Sequence, residues 1–275
     1  MTPWQAAVLA LVQAVTEFLP VSSSGHLILL PRILGWSDQG LEFDIATNSG
    51  TLIAVMAYFR SDIARMAREF RASFRASERA SNPDARMLWL LAWGTVPAGL
   101  AGLVLKEWIG SQGRDPILIA ATAIFYGLLL LYADRRTGSA LAVPGGRDLN
   151  ELGMRAALLV GCAQALALVP GTSRSGVTIT AALLLGFARP AAARFSFLLA
   201  IPIGLVLAAK QLADALRGVP LGVAPQTLAI GIAVSAVAGY AVIAFLLDWV
   251  RKRSLAPFAL YRVALGIALL MIFAR

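Results

Sequence analysis

Glu17 is the only carboxylate among the first 35 residues, and its neighbours are mostly apolar. An ionisable side chain in such a setting is costly enough that function is the default reading; a structural acid held by hydrogen bonds is the alternative. Gln13 lies four residues earlier, on the same face of a helix. The run Pro20-Val-Ser-Ser-Ser-Gly-His26 follows, so the hydroxyls of Ser22, Ser23 and Ser24 and one imidazole come just after the carboxylate. Such a set could supply a base or metal ligand, a nucleophile, and a group that protonates a leaving oxygen or orients a serine.

A second cluster, Pro170-Gly-Thr-Ser-Arg-Ser-Gly176, repeats the plan. Laying Pro20 on Pro170, 150 positions on, sets Ser22 against Thr172, Ser23 against Ser173 and Ser24 against Arg174. Gly171, Thr172, Ser173 and Ser175 offer amides and hydroxyls where a helix begins, a cradle for anionic oxygens. The planar fork of Arg174 matches phosphate, with an ion pair to Glu17 alone as the bland alternative. Arg262, after Tyr261, is a second candidate for the same anion or else part of a helix-packing ion pair. Two positive helix ends and a guanidinium suit an anionic substrate.

Other chemistries are excluded. His26 is the only histidine and Cys162 the only cysteine, so paired-histidine phosphoryl transfer, an intrachain disulfide and cysteine metal clusters are all ruled out. No metal-ligand spacing occurs, which leaves a loosely held Mg²⁺ or Ca²⁺ bridging a carboxylate and substrate phosphates. Glu42 and Asp44 are possible metal or headgroup contacts at the entrance to a later helix. Nucleotide-binding glycine loops are missing. The net charge of +9 would suit nucleic acid in a soluble protein, but no surface interleaves basic and aromatic residues.

The elements that must position these residues are membrane helices. With 59% hydrophobic residues and 14% charged, and mean hydropathy +0.75, this chain needs lipid to cover its apolar surface. Apolar segments fall at about 4 to 19, 43 to 60, 88 to 106, 115 to 133, 155 to 169, 195 to 213, 225 to 248 and 256 to 274. Shorter ones lie at about 23 to 35 and 173 to 187. The segments ending at Pro20 and Pro170 are too short to cross and run into Ser/Thr/Gly clusters, the pattern of re-entrant hairpins. The expectation is an all-α polytopic membrane protein with an inverted-topology repeat. Each half is a re-entrant hairpin plus three transmembrane helices, over about 1 to 136 and 150 to 275.

Charge gives the orientation. The linkers at 60 to 87, 134 to 155, 188 to 194 and 251 to 253 hold 16 Lys and Arg; the opposite side holds 6, namely Arg32, Lys106, Arg114, Lys210, Arg217 and Arg275. The rich side is cytoplasmic, so the first hairpin opens outward and both termini lie outside. The arginines from Arg60 to Arg86 predict an amphipathic surface helix or a plain topology anchor. Pro144, Gly145 and Gly146 divide the halves. No basic residue precedes the first apolar run, so the first helix is expected to stay attached.

At these residues the chain resembles the undecaprenyl-diphosphate phosphatase family of bacteria, the bacitracin-resistance proteins. Gln13-Ala-Val-Thr-Glu17-Phe-Leu-Pro-Val-Ser-Ser-Ser-Gly-His26 is similar to the family's (E/Q)xxxE motif with its PVSSxGH extension. Pro170-Gly-Thr-Ser-Arg-Ser-Gly176 is similar to its PGxSRSG motif, and the resemblance covers the whole chain. It implies a divalent-cation-dependent enzyme of the plasma membrane that removes the terminal phosphate of a polyprenyl diphosphate and returns the lipid carrier to cell-wall synthesis. The family's acid falls on Glu17, its serine on Ser23, its histidine on His26 and its arginine on Arg174. Gln13 stands where many members carry glutamate, so a mechanism with two ionised carboxylates in the first motif is unavailable. Either Ser23 or a water could be the nucleophile, and the oligomeric state, a homodimer included, stays open. The rival class is a polyprenyl-phosphate transporter or flippase, because inverted repeats with broken helices also build transporters; Glu17 beside a nucleophile favours the enzyme.

Overall fold

The computed structural model describes residues 1–105, 115–137, 146–217 and 222–273. Lys106, Arg114, Pro144, Gly145 and Arg275, used above for sidedness or as a divider, lie outside the described residues. Twelve α-helices are described: α1 Pro3–Phe18, α2 Ser23–Leu34, α3 Gly40–Tyr58, α4 Arg60–Arg68, α5 Ala76–Ser81, α6 Pro83–Val104, α7 Pro116–Arg136, α8 Met154–Leu166, α9 Arg174–Leu184, α10 Arg189–Leu216, α11 Pro225–Lys252 and α12 Ala256–Phe273. Extended pairing among the described residues is limited to one bridge between Arg147 and Phe187.

Local signals set many boundaries. Thr2 caps α1 in a capping box with Gln5, and Asn82 and Asp115 cap α6 and α7 directly before a proline at the first helical position. Gly35, at φ 67°, ends α2 in the left-handed conformation that glycine adopts at little cost.

Five helices are long and apolar enough to cross a membrane: α6, α7, α10 over Arg189–Asp214, α11 and α12. They present large apolar side chains outward, Leu103 at 79% exposure and Val237 at 76% among them. Lipid is the environment that tolerates such a surface. The sixth expected span, α3, has 19 residues, enough for about 28 Å at 1.5 Å per residue. Its first two-thirds carry Glu42, Asp44, Thr47, Asn48, Ser49 and Thr51, because this helix lines the interior site. The basic linker after it is divided between α4, a 3-10 turn at Ala72–Phe74 and α5.

Helices α1 and α8 have 16 and 13 residues, too few to cross alone. Each packs one face on a longer helix, α1 against α11 and α8 against α6, while α3 packs on α11 and α7 on α12. Gly161 of α8 faces Gly94 of α6 so closely that a Cβ at 161 would collide with the Gly94 carbonyl. Small residues bring the backbones together, as membrane helix packing requires. Phe18 meets Phe197 edge-on at 5.4 Å in the main core.

One buried ion pair ties the end of α7 to the start of α10. Arg189 Nε donates to Asp134 Oδ1 and its Nη2 to the Asp134 carbonyl at 3.0 Å, with the carboxylate side chain 2% exposed. Arg189→Ala leaves that charge buried and is expected to cost about 3–5 kcal/mol, read as a lower unfolding midpoint in detergent. Removing both charges with Asp134→Leu and Arg189→Met should cost much less.

Candidate active site

Two helix breaks build the site. After α1 the chain passes Leu19 and Pro20 and reaches Ser22 at φ 77°, where α2 starts; after α8 it passes Pro170 and reaches Ser173 at φ 68°, where α9 starts. These are the only described non-glycine residues with positive φ, a conformation that costs on the order of 1–3 kcal/mol and concentrates at functional sites. The structural register is therefore 151 positions, Ser22 against Ser173, one more than the proline alignment suggests. Pro20 then lies against Gly171, at φ 84°, and Pro170 stands one position early. In this register Ser23 corresponds to Arg174, Ser24 to Ser175, Gly25 to Gly176 and Gln13 to Gln164.

The two breaks are joined crosswise. The Gly171 amide donates to Ser24 Oγ at 3.3 Å, and Ser175 Oγ donates to the Leu19 carbonyl at 3.2 Å. Each serine also meets the hydroxyl two residues before it, Ser22 Oγ at 3.4 Å and Ser173 Oγ at 3.3 Å. Thr122 Oγ1 donates to the Pro170 carbonyl at 2.7 Å. Arg262, fully buried, donates through Nη2 to the carbonyls of Gly171 at 2.9 Å and Thr172 at 2.8 Å. It braces the second break from behind, a third role beside the anion contact and ion pair expected of it.

Glu17 is the hub. Its Oε1 accepts from Arg174 Nη2 at 2.7 Å, and its Oε2 accepts from Ser23 Oγ at 2.7 Å and from Gln13 Nε2 at 3.2 Å. Gln13 Nε2 also donates to Asn48 Oδ1 at 2.9 Å. Arg174, 157 residues away in the chain, thus shares the Glu17 carboxylate with Ser23 and Gln13. A cavity of about 270 Å³ opens here. Glu17, Ser23, Ser24, Asn48, Gln164, Ser173 and Arg174 line its polar part, and Leu52, Val55, Ala98, Ile203 and Leu207 its apolar part.

Other expected residues lie elsewhere. His26 Nδ1 donates to the Ser22 carbonyl at 2.7 Å, so the Nε2 of the neutral ring accepts from Tyr261 O–H, also at 2.7 Å. The ring is hydrogen-bonded to the Ser22 carbonyl and Tyr261 rather than to Ser23 Oγ and does not line the cavity; it fixes the backbone at the strained serine. Thr172 is fully buried behind the turn. Glu42 accepts from the Gly222 amide and Asp44 from Gln39 Nε2 at 2.8 Å, away from the cavity lining. Asn48, Gln164 and Tyr261 escaped the sequence reading. For the two amides the signal was present, a polar side chain inside an otherwise helical apolar pattern; for Tyr261 only the tertiary contact reveals it.

The resemblance implies a divalent cation, and the donors here are the hard oxygens that Mg²⁺ or Ca²⁺ requires. Among the described residues no group of three His, Cys, Asp or Glu could enclose one, and one oxygen of Glu17 already faces Arg174. A cation would therefore be held only partly by the chain, through Glu17, Ser23 Oγ and the Asn48 amide oxygen, and would need phosphate oxygens and water as its other ligands.

Outward-facing apolar helices around a cavity where one carboxylate, one guanidinium and several hydroxyls converge define a multi-pass membrane protein with an interior polar site. The chain belongs to the bacitracin resistance protein BacA family, whose model matches residues 6–268. A relative from Magnetococcus marinus named undecaprenyl-diphosphatase is 47% identical over 271 residues, 98% of each chain. Undecaprenyl-diphosphatase 2 of Stutzerimonas stutzeri is 48% identical over 272 residues, 98% of this chain and 97% of its own. The undecaprenyl-diphosphatase of Thioalkalivibrio sulfidiphilus is 44% identical over 276 residues, 99% of this chain and all of its own.

Proposed function

We propose that this chain is a membrane-embedded phosphatase that hydrolyses undecaprenyl or a similar polyprenyl diphosphate to the monophosphate and inorganic phosphate, recycling the carrier for cell-wall synthesis. One observation carries the mechanism: Ser23 Oγ–H points at one oxygen of Glu17 while Arg174 holds the other. Ser23 Oγ attacks the terminal phosphorus and its proton passes to Glu17 Oε2. The bond from that phosphorus to the bridging oxygen breaks, and the monophosphate departs with the proton Glu17 returns. Glu17 then takes a proton from water, whose oxygen attacks the phosphoserine phosphorus; the bond to Ser23 Oγ breaks, the serine recovers its proton from Glu17, and inorganic phosphate is released. Throughout, the remaining donors of Arg174 and the first amides of α2 and α9 stabilise phosphate charge, which is most of what a protein contributes to such a transfer. A divalent cation bound by Glu17 and the diphosphate would neutralise further charge. The isoprenoid tail leaves along the apolar wall formed by Leu52, Ile203 and Leu207.

The reading includes an inverted repeat of two halves in the bacterial plasma membrane, with the first hairpin open to the outer face. The first half comprises the α1–α2 hairpin with α3, α6 and α7; the second comprises the α8–α9 hairpin with α10, α11 and α12. Corresponding packing supports it, since α1 lies on α11 and α8 on the matching α6. So do the twin strained serines.

The test is release of phosphate from a long-chain polyprenyl diphosphate by purified protein in detergent, with Mg²⁺ and with chelator. Acid quenching during turnover, with the terminal phosphate labelled, should find the label on Ser23. Metal-dependent release with no labelled serine at any time would assign the attack to water. No release by well-folded wild type would sink the enzyme and leave the flippase.

A further inference from the structure

The second helix break carries an amide that the protein leaves unused. Gln164 is 3% exposed, both its Nε2 and its Oε1 are buried without a hydrogen-bond partner, and the residue lines the cavity beside Arg174. Buried side-chain amides are almost always satisfied, because an unmade hydrogen bond forfeits the hydration the group had in water. Its counterpart Gln13, 151 positions earlier, is equally buried, yet its Nε2 is committed to Glu17 and Asn48. The difference has a simple origin: Leu168 stands where Glu17 stands in the first hairpin, so the second hairpin has no carboxylate for its glutamine to hold. Gly161, pressed on Gly94 one turn earlier, fixes α8 and with it the Gln164 backbone.

We propose that Gln164 is a substrate-binding residue, its amide N–H donating to a non-bridging oxygen of the diphosphate. This rests on the phosphatase reading and extends it. The twin glutamines have divided roles: Gln13 holds the base, and Gln164 holds the anion that the base and Ser23 act upon. A carboxamide suits the position, since it donates to phosphate without adding charge that would compete with Arg174 for Glu17.

The decisive comparison is wild type against Gln164→Leu, with Gln164→Met as a second apolar replacement of similar volume. Because the amide has no partner within the protein, either substitution should leave Tm unchanged or raise it. Loss of one hydrogen bond to a charged group should raise KM about tenfold with kcat little altered. Inhibition by inorganic phosphate and by polyprenyl monophosphate then separates the two phosphates of the substrate: the product whose inhibition weakens in the variant is the one Gln164 touches. A lower Tm with unchanged KM in both variants would overturn the proposal and make the glutamine structural. Thermal stabilisation by added polyprenyl diphosphate, which needs no turnover, separates this from failure of the phosphatase reading. If wild type is stabilised but releases no phosphate, the phosphatase fails, and loss of that stabilisation in Gln164→Leu still supports the contact. Should wild type turn over and both variants be stabilised as strongly as wild type, Gln164 is excluded while the phosphatase stands.

Discussion

Glu17→Gln is expected to lower kcat roughly 10³–10⁴-fold with little change in fold, since positioned general bases contribute on the order of 10²–10⁴ and this one also orients its partners. The substitution is nearly isosteric, and an amide oxygen can still accept from Ser23. What disappears is the basicity that takes the serine proton and the charge that holds Arg174 at 2.7 Å. Glu17→Asp should also fail substantially, because a side chain one carbon shorter cannot reach Ser23, Gln13 and Arg174 together. Rates of phosphate release normalised to folded protein are the measurement. A Glu17→Gln enzyme within tenfold of wild type would remove Glu17 from proton transfer.

Arg174→Lys should cost about 10³ in kcat, in the range reported for losing a preorganised donor to a transferring phosphoryl group, even though the charge is kept. An ammonium is a single point of donation, whereas the guanidinium can hold Glu17 with one nitrogen and turn others toward phosphate. Arg174→Ala should be worse and should also destabilise the protein, since the Glu17 side chain, 11% exposed, would lose its counter-charge. Kinetics and melting temperature separate these contributions: Arg174→Lys should lose rate while nearly keeping Tm. A lysine variant with wild-type kcat would reduce Arg174 to a partner of Glu17, the structural alternative open from the sequence.

Helix positions were legible because period and length are properties of the local chain. The prolines after Glu17 and after Val169, the Asn82-Pro83 and Asp115-Pro116 starts and the apolar runs mark most of the boundaries found. The polar half of α3 was legible as composition, yet its meaning was not: Glu42 and Asp44 attracted notice at its entrance, while Asn48, one turn beyond Asp44, joins the hydrogen-bond network at Glu17 through Gln13. Register was nearly legible. Proline marks where a helix stops, but the backbone turn is completed at Ser22 in one break and Ser173 in the other, and only the φ angles reveal that the two prolines are one position out of register.

By itself the sequence determined the chemistry available: one carboxylate and one histidine in the first hairpin, one guanidinium in the second cluster, and serines in both, all within a lipid-soluble chain. It also determined the family, since motifs of this length and spacing rarely arise by chance. Tertiary structure decided which of these groups meet. His26 and Ser23 are one helical turn apart in α2, yet the imidazole pairs with Tyr261 and the Ser22 carbonyl while the hydroxyl pairs with Glu17. Arg174 and Arg262 are alike as sequence, but packing points one into the cavity and the other at the carbonyls behind the turn. The physical reason is that hydrogen bonds and charge act over a few ångströms of space, and the distance in space between residues 17 and 174 is fixed by helix packing.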